Sequence, residues 1–290
     1  MITSAAWRLW RLSRPRLALW ISGIVLFGYG FAHWDRLLVA RAPVGLVLLL
    51  AAWMLGNAGT MWLNTALDRD ESSAIFAPGG PIPRRIDIAG YTALAGAIAL
   101  ASATNWLAAA CVAGCSALAI VYSHPRTAWK GHPVLGPLVN VVGYGVLSPL
   151  AGWSLVEVPV SARAAVTFAL WSLWLLGAYW SAQAFQEADD RRRGYRTLVV
   201  THGPKTTLRA ARWCMNGAIA AAFVLTVAGV YPRLTLLAYP TFLVADRWMV
   251  RWQGQLGGGN PAWATGLFVR MLSGGLLLFA LAYVDYWFLS

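Results

Sequence analysis

The chain has 290 residues, 59% of them hydrophobic and 12% charged, and its mean hydropathy is +0.57. So little charge excludes a water-soluble globular fold, where about a quarter of residues are charged. The formal net charge of +12 does not point to nucleic acid, because the basic residues are scattered over short segments between apolar runs rather than gathered in one folded basic domain.

Apolar runs of about 20 residues, enough to cross a hydrocarbon layer about 30 Å thick, recur from end to end. Backbone groups cannot reach water inside a bilayer, so the spans are helices. The expected fold is all-α: a polytopic integral membrane protein with about nine transmembrane helices, forming one domain over residues 1–290. The first 15 residues carry Arg8, Arg11 and Arg14, and the apolar run after Arg16 continues to about Trp34. That is too long for a signal-peptide core and reads as a retained first span, about 16–34. Further spans are expected at about 43–65, 87–103, 105–122, 134–155, 163–187, 209–230, 234–252 and 264–289. Cys111 and Cys115 lie four apart in one apolar stretch and read as small packing residues rather than a metal pair. With Cys214 the count is odd, and nothing suggests a disulfide framework.

An odd number of spans puts the termini on opposite sides. The side of the N-terminus, with the loops after the second, fourth, sixth and eighth spans, holds 18 of the 23 Lys and Arg residues. The other side holds Arg36, Arg41, Arg163 and Arg233, and Arg270 sits within the ninth span. The positive-inside rule makes the first side cytoplasmic, in the inner or plasma membrane if the source is bacterial.

Eight of the 11 acidic residues share that side: Asp68, Asp70, Glu71, Asp87, Glu187, Asp189, Asp190 and Asp246. Six of these form two clusters about 120 residues apart, each at the end of a span, which suggests two pseudo-equivalent halves, about 1–155 and 156–290. The first cluster runs Asn64-Thr-Ala-Leu-Asp68-Arg69-Asp70-Glu71-Ser72. On a helix Asn64, Asp68 and Glu71 share a face, with Asp70 beside it. Hard oxygen donors of this kind suit Mg²⁺, which usually takes one or two carboxylates and fills its shell with water and substrate phosphates. The second cluster runs from Gln183 through Gln186, Glu187, Asp189 and Asp190 into Arg191, Arg192 and Arg193. If the sixth span continues through it, Gln183, Gln186 or Glu187, and Asp190 share a face. Carboxylates beside arginines suit a metal-bridged phosphate ester, and two such clusters facing each other across a bundle would hold a diphosphate. The alternative is that polar helix ends merely cap the spans and set topology; the pair of clusters on one side favours a site. Between them, after the fourth span, comes Tyr122-Ser123-His124-Pro125-Arg126 and then Lys130 and His132. Arg126 and Lys130 are placed to reach a phosphate, whereas the two histidines read as interfacial bystanders.

These residues resemble the UbiA superfamily of intramembrane prenyltransferases. Its first signature, Asn-x-x-x-Asp-x-x-x-Asp, is matched by Asn64 and Asp68; its Tyr-Ser-x-Pro loop ending in lysine by Tyr122, Ser123, Pro125 and Lys130; its second signature by Asp190, Gly194 and Thr197. Arg14-Pro15 and Pro81-Ile82-Pro83 also look like the family, and span count, motif order and sidedness agree over nearly the whole chain. There are departures. Ser72 stands where the first signature ends in Asp, Gln186 where the second begins with Asp, and Ala182 where many members carry lysine. Asp70 or Glu71, and Glu187 or Asp189, stand one or two positions away as substitutes.

The resemblance implies transfer of a prenyl group from an isoprenoid diphosphate to a hydrophobic, often aromatic, acceptor, with Mg²⁺ as cofactor. On this reading Asn64, Asp68, Asp70, Glu71, Glu187, Asp189 and Asp190 serve the metals, with Asp68, Asp190 and Lys130 central to catalysis. Arg69, Tyr122, Ser123, Arg126, Lys130 and Arg191 would contact the diphosphate. A UbiA-like terpene cyclase and a catalytically weakened, non-enzymatic relative are the competing readings.

Overall fold

Each apolar run folds into a helix, and the chain turns where Pro, Gly or polar clusters interrupt the pattern. The computed structural model describes residues 4–36, 42–68, 81–256 and 261–288. Among the described residues every regular element is helical: α1 (Ser4–Leu12), α2 (Pro15–Arg36), α3 (Pro43–Asp68), α4 (Ile86–Ser102), α5 (Trp106–Ser123), α6 (Leu135–Asn140), a π-helical segment (Val141–Leu147), α7 (Ser148–Ser154), α8 (Ala162–Gln183), α9 (Glu187–Arg192), α10 (Leu198–Val227), a 3₁₀ segment (Arg233–Ala238), α11 (Tyr239–Gln253) and α12 (Pro261–Phe288).

Among the described residues seven helical stretches are long and apolar enough to cross a membrane: α2, α3, α5, the continuous run Leu135–Ser154, α8, α10 and Ala262–Phe288 within α12. α4 is apolar but shorter, with 17 residues. The eighth expected span is a 3₁₀ turn followed by α11, which has 15 residues and carries Asp246, Arg247 and Arg251. Among the described residues the nine expected spans therefore correspond to seven full-length helices and two shorter ones. α10 begins earlier than the expected 209, at Leu198, and is broken at Gly203 (φ 79°, ψ 162°), a left-handed position that glycine adopts without steric cost. Pro204 then opens the long part of the helix, where its missing N–H is no loss. α1 was not expected as a helix. Its Trp7 and Trp10 are exposed, while the Leu9 carbonyl accepts from Trp62 Nε1 (2.9 Å) and the Pro81 carbonyl from Arg8 Nε (2.5 Å).

The chain divides into two compact units. One comprises Met1–His33, Leu38–Lys130 and Val142–Val160, the other Trp34–Leu37, Gly131–Val141 and Ser161–Ser290. In the first, α3 packs on α4 and both pack on α5. Where α2 meets α7 the backbones touch: a Cβ at Gly28 would overlap the Pro149 carbonyl, and one at Gly152 the Val25 carbonyl. Such small-residue contacts are the usual way for membrane helices to approach closely, since lipid gives no hydrophobic drive for their association. In the second unit α8 packs along α10, with Gly177 lying against the Ala211 carbonyl. At another point in that unit Arg163 donates to Asp35 Oδ1 (2.5 Å) and lies 4.3 Å over the Trp34 ring.

Candidate active site

The first group of site residues lies where α3 and α5 end, within the first unit. Asn64 and Asp68, four apart on the last turns of α3, present their side chains in the same direction. α5 stops at Ser123 because His124, preceding Pro125, is forced into an extended conformation (φ −66°, ψ 133°). Thr127 Oγ1 then donates to the Val121 carbonyl (2.7 Å), tying the loop back to the helix end. A 3₁₀ turn over Trp129–Gly131 brings Lys130 inward, so that this lysine is only 8% exposed. Its ammonium is paired with the Asp68 carboxylate and also lies 3.4 Å from Asn64 Oδ1, which accepts from Ser123 Oγ at 3.1 Å. Both charged side chains are buried, at 9% and 8% exposure. A buried pair of this kind is held by mutual compensation, and breaking such a pair by removing one member costs roughly 3–5 kcal/mol.

Arg126 is exposed and Tyr122 half-buried. Nδ1 of His124 accepts from the Arg126 amide (3.2 Å), and Nδ1 of His132 from those of Val134 and Leu135 (3.1 Å each). Both histidines thus hold turns. Arg69, Asp70, Glu71 and Ser72, including the carboxylates expected to replace the missing aspartate, lie outside the described residues.

The second group lies at the C-terminal end of α8, within the second unit. The single helical face expected for Gln183, Gln186 or Glu187, and Asp190 does not exist: α8 stops at Gln183, and α9 starts afresh at Glu187 after Gln186 adopts φ −95°, ψ 4°. No glycine or proline marks this break in the sequence. Asp190 accepts from the hydroxyl of Thr197, itself 1% exposed, at 2.7 Å. The Asp190 carbonyl accepts from the Tyr195 amide (2.9 Å). Gly194 (φ 70°) supplies the left-handed residue that folds this loop. Glu187 and Asp189 point to other partners. Glu187 accepts from Arg191 (2.8 Å) and Asp189 is paired with Arg192, and in both pairs the arginine is more than half exposed. Among the proposed metal carboxylates of this group, Asp190 is therefore the one fixed by a buried neighbour. Gln183, 5% exposed, donates through Nε2 to the Tyr179 hydroxyl (2.9 Å), while its Oε1 has no hydrogen-bond partner among the described residues. Tyr179 was not anticipated; the i, i+4 spacing to Gln183 was the available signal.

What these groups can do chemically follows from their donors. Asn64 Oδ1 and the Asp68 carboxylate already converge on one cationic group, the Lys130 ammonium. Hard oxygens gathered about a cation are the donor set that Mg²⁺ takes, so the residues fit that ion.

A family model described as the UbiA prenyltransferase family matches residues 19–258. A lycopene elongase/hydratase of Haloarcula japonica is 27% identical over 236 residues, covering 79% of this chain and 78% of that protein. A protoheme IX farnesyltransferase of Aromatoleum aromaticum is 33% identical over 106 residues, covering 36% of this chain and 32% of that one. Against several of the curated relatives, the matched part is thus less than two thirds of their length. Among solved structures, a UbiA homolog from Archaeoglobus fulgidus bound to DMAPP and Mg²⁺ superposes with a TM-score of 0.66 at 16% identity, over 96% of this chain and 99% of that one. The same homolog bound to GPP and Mg²⁺ gives 0.64 at 17%, over 96% and 100%. At these identities the structures establish the shared fold.

Proposed function

The chain belongs to the UbiA prenyltransferase family, and from that membership we propose that it transfers a prenyl group from an isoprenoid diphosphate to a hydrophobic, aromatic acceptor within the membrane, with Mg²⁺ as cofactor. The observation that carries this reading is the cluster of Asn64, Asp68, Ser123 and Lys130, oxygen donors gathered about a buried ammonium at the end of a membrane span. In the proposed reaction the allylic carbon–oxygen bond breaks, pyrophosphate departs, and the acceptor's electron pair attacks the resulting carbocation and loses a proton to solvent. Bound Mg²⁺ would supply charge neutralisation of the departing diphosphate.

The chain's own residues have separate tasks. Asn64 and Asp68 in the first motif and Asp190 in the second would each serve as metal ligands, with Asp70, Glu71, Glu187 and Asp189 near them in the sequence. Lys130 offers a fixed positive charge to the developing negative charge of the leaving group, an interaction stronger in the transition state than in the ground state. Ser123 orients Asn64 through its hydroxyl. Arg69, Tyr122, Arg126 and Arg191 are the further candidates for diphosphate contact. Thr197 keeps the Asp190 carboxylate in one orientation.

Purified protein in proteoliposomes, given geranyl diphosphate and an aromatic acceptor, is expected to release pyrophosphate with Mg²⁺ and to lose that release when the ion is chelated. Release that does not depend on acceptor would favour a cyclase instead, and no release with any prenyl diphosphate would reject the reading. The proposal also places the N-terminus and both acidic motifs on the cytoplasmic side and the C-terminus across the membrane. Reporter fusions at the two ends should then give opposite signals, and the same compartment from both would reject this topology.

A further inference from the structure

The ninth span carries an arginine that the proposed reaction does not use. Arg270 lies nine residues into α12, about 14 Å along the helix at 1.5 Å per residue. An ionisable residue inside a span is costly and usually has a function. Its immediate surroundings are built. The guanidinium stacks 3.7 Å over the ring of Trp248 and donates to the Gly266 carbonyl (2.9 Å). Trp248 is fixed in turn: its Nε1 donates to the Trp263 carbonyl (3.0 Å), the two indoles pack at 4.6 Å, and its ring occupies the space a Cβ would need at Gly266. One hydrogen bond and a ring face leave most of the guanidinium's five N–H donors available.

Beside it on α11 stand Arg247 and Arg251, one turn apart. All three arginines line a cavity of about 250 Å³, together with Val244 and Trp248. Among the described residues no carboxylate pairs with them. Asp246, the acid nearest in sequence, is engaged elsewhere by Arg212 (2.8 and 2.9 Å) and Asn216 (2.8 Å). Among the described residues neither Arg247 nor Arg251 forms an ion pair. Three guanidiniums around one small cavity call for an anion with several oxygens, and a phosphate matches their forked geometry. Leu243, Val244, Val250 and Val269 on the same two helices are all exposed. In a membrane protein such residues face acyl chains, so the anion arrives attached to a lipid.

We propose that the α11–α12 cavity binds the phosphate headgroup of an anionic phospholipid, held by Arg247, Arg251 and Arg270. Near a membrane surface each such arginine adds about 1 kcal/mol toward anionic lipid. The test is native mass spectrometry of the detergent-solubilised full chain titrated with dioleoylphosphatidylglycerol, with dioleoylphosphatidylcholine and inorganic pyrophosphate as separate arms. The expected result is one phosphatidylglycerol retained at least about tenfold more tightly than phosphatidylcholine, and loss of that preference in the Arg247→Gln/Arg251→Gln double variant. Both of those residues are exposed, so the double variant keeps the fold even where Arg270→Gln does not. Equal retention of the two lipids, or unchanged preference in the double variant, would overturn the proposal. So would displacement of phosphatidylglycerol by micromolar pyrophosphate, which would make the cavity a site for a soluble anion.

Discussion

Asp68→Asn is expected to lower prenyl transfer by about 10²–10³-fold, the loss typical when one preorganised electrostatic contact to developing charge is removed. The substitution keeps the shape and one hydrogen-bonding oxygen but removes the charge that, in the proposed reaction, shares the cation with Asn64. It also removes the charge against which the Lys130 ammonium is buried, so stability should fall as well, by up to roughly 3–5 kcal/mol. The two effects separate in the double variant Asp68→Asn/Lys130→Met. Removing both charges should restore most of the thermal stability and leave turnover as low as in the single variant. Pyrophosphate release from geranyl diphosphate and a melting curve in detergent read the two quantities. An Asp68→Asn protein turning over within threefold of the parent would remove Asp68 from the metal site.

The second expectation concerns which carboxylate acts in the other motif. Asp190→Asn should cost about 10²-fold in turnover, whereas Glu187→Gln and Asp189→Asn should each stay within about threefold. Their partners Arg191 and Arg192 are 61% and 78% exposed, and exposed ion pairs contribute about 0–1 kcal/mol. Thr197→Val should fall between these, because it removes the hydroxyl that orients Asp190 without removing the charge. Equal losses from Glu187→Gln and Asp190→Asn, measured as initial rates at saturating Mg²⁺, would mean that the arginine pairs open in the working enzyme and that Glu187 replaces the acid missing at Gln186.

The membrane class and most of the spans were legible because hydropathy over about 20 residues is a strong signal. The convergence of Asn64 and Asp68 was equally legible: their four-residue spacing places both on one face wherever α3 ends. Three features escaped. α1 has only nine residues, too few for its 3.6-residue periodicity to stand out from a basic leader. The break between α8 and α9 falls at Ala184-Phe185-Gln186, where no residue type forbids a helix, so the pattern ran straight through it. The competition for Glu187 and Asp189 could have been read from spacing, since Glu187–Arg191 is i, i+4 and Asp189–Arg192 is i, i+3. Neighbours one turn away are within reach before any metal arrives. Burial was not legible at all. Nothing in Lys130's own sequence context reveals that a 3₁₀ turn carries it into the protein.

The π-helical segment Val141–Leu147 sets the phase of its span. Ser148, fully buried, donates its hydroxyl to the Gly143 carbonyl five residues back (2.7 Å), so the wide turn has an internal fastening. An α-helix advances about 100° per residue, and widening the turn delays that advance across seven positions. α7 is thereby presented at an azimuth that an uninterrupted α-helix continuing from α6 would not reach, and at that azimuth Gly152 meets the Val25 carbonyl. The alignment of α2 with α7 is thus a matter of counting. Straightening 141–147 into an ordinary α-helix with all seven residues kept would turn Gly152 away from α2 and bring a side chain where only a hydrogen fits, without changing the composition of either surface.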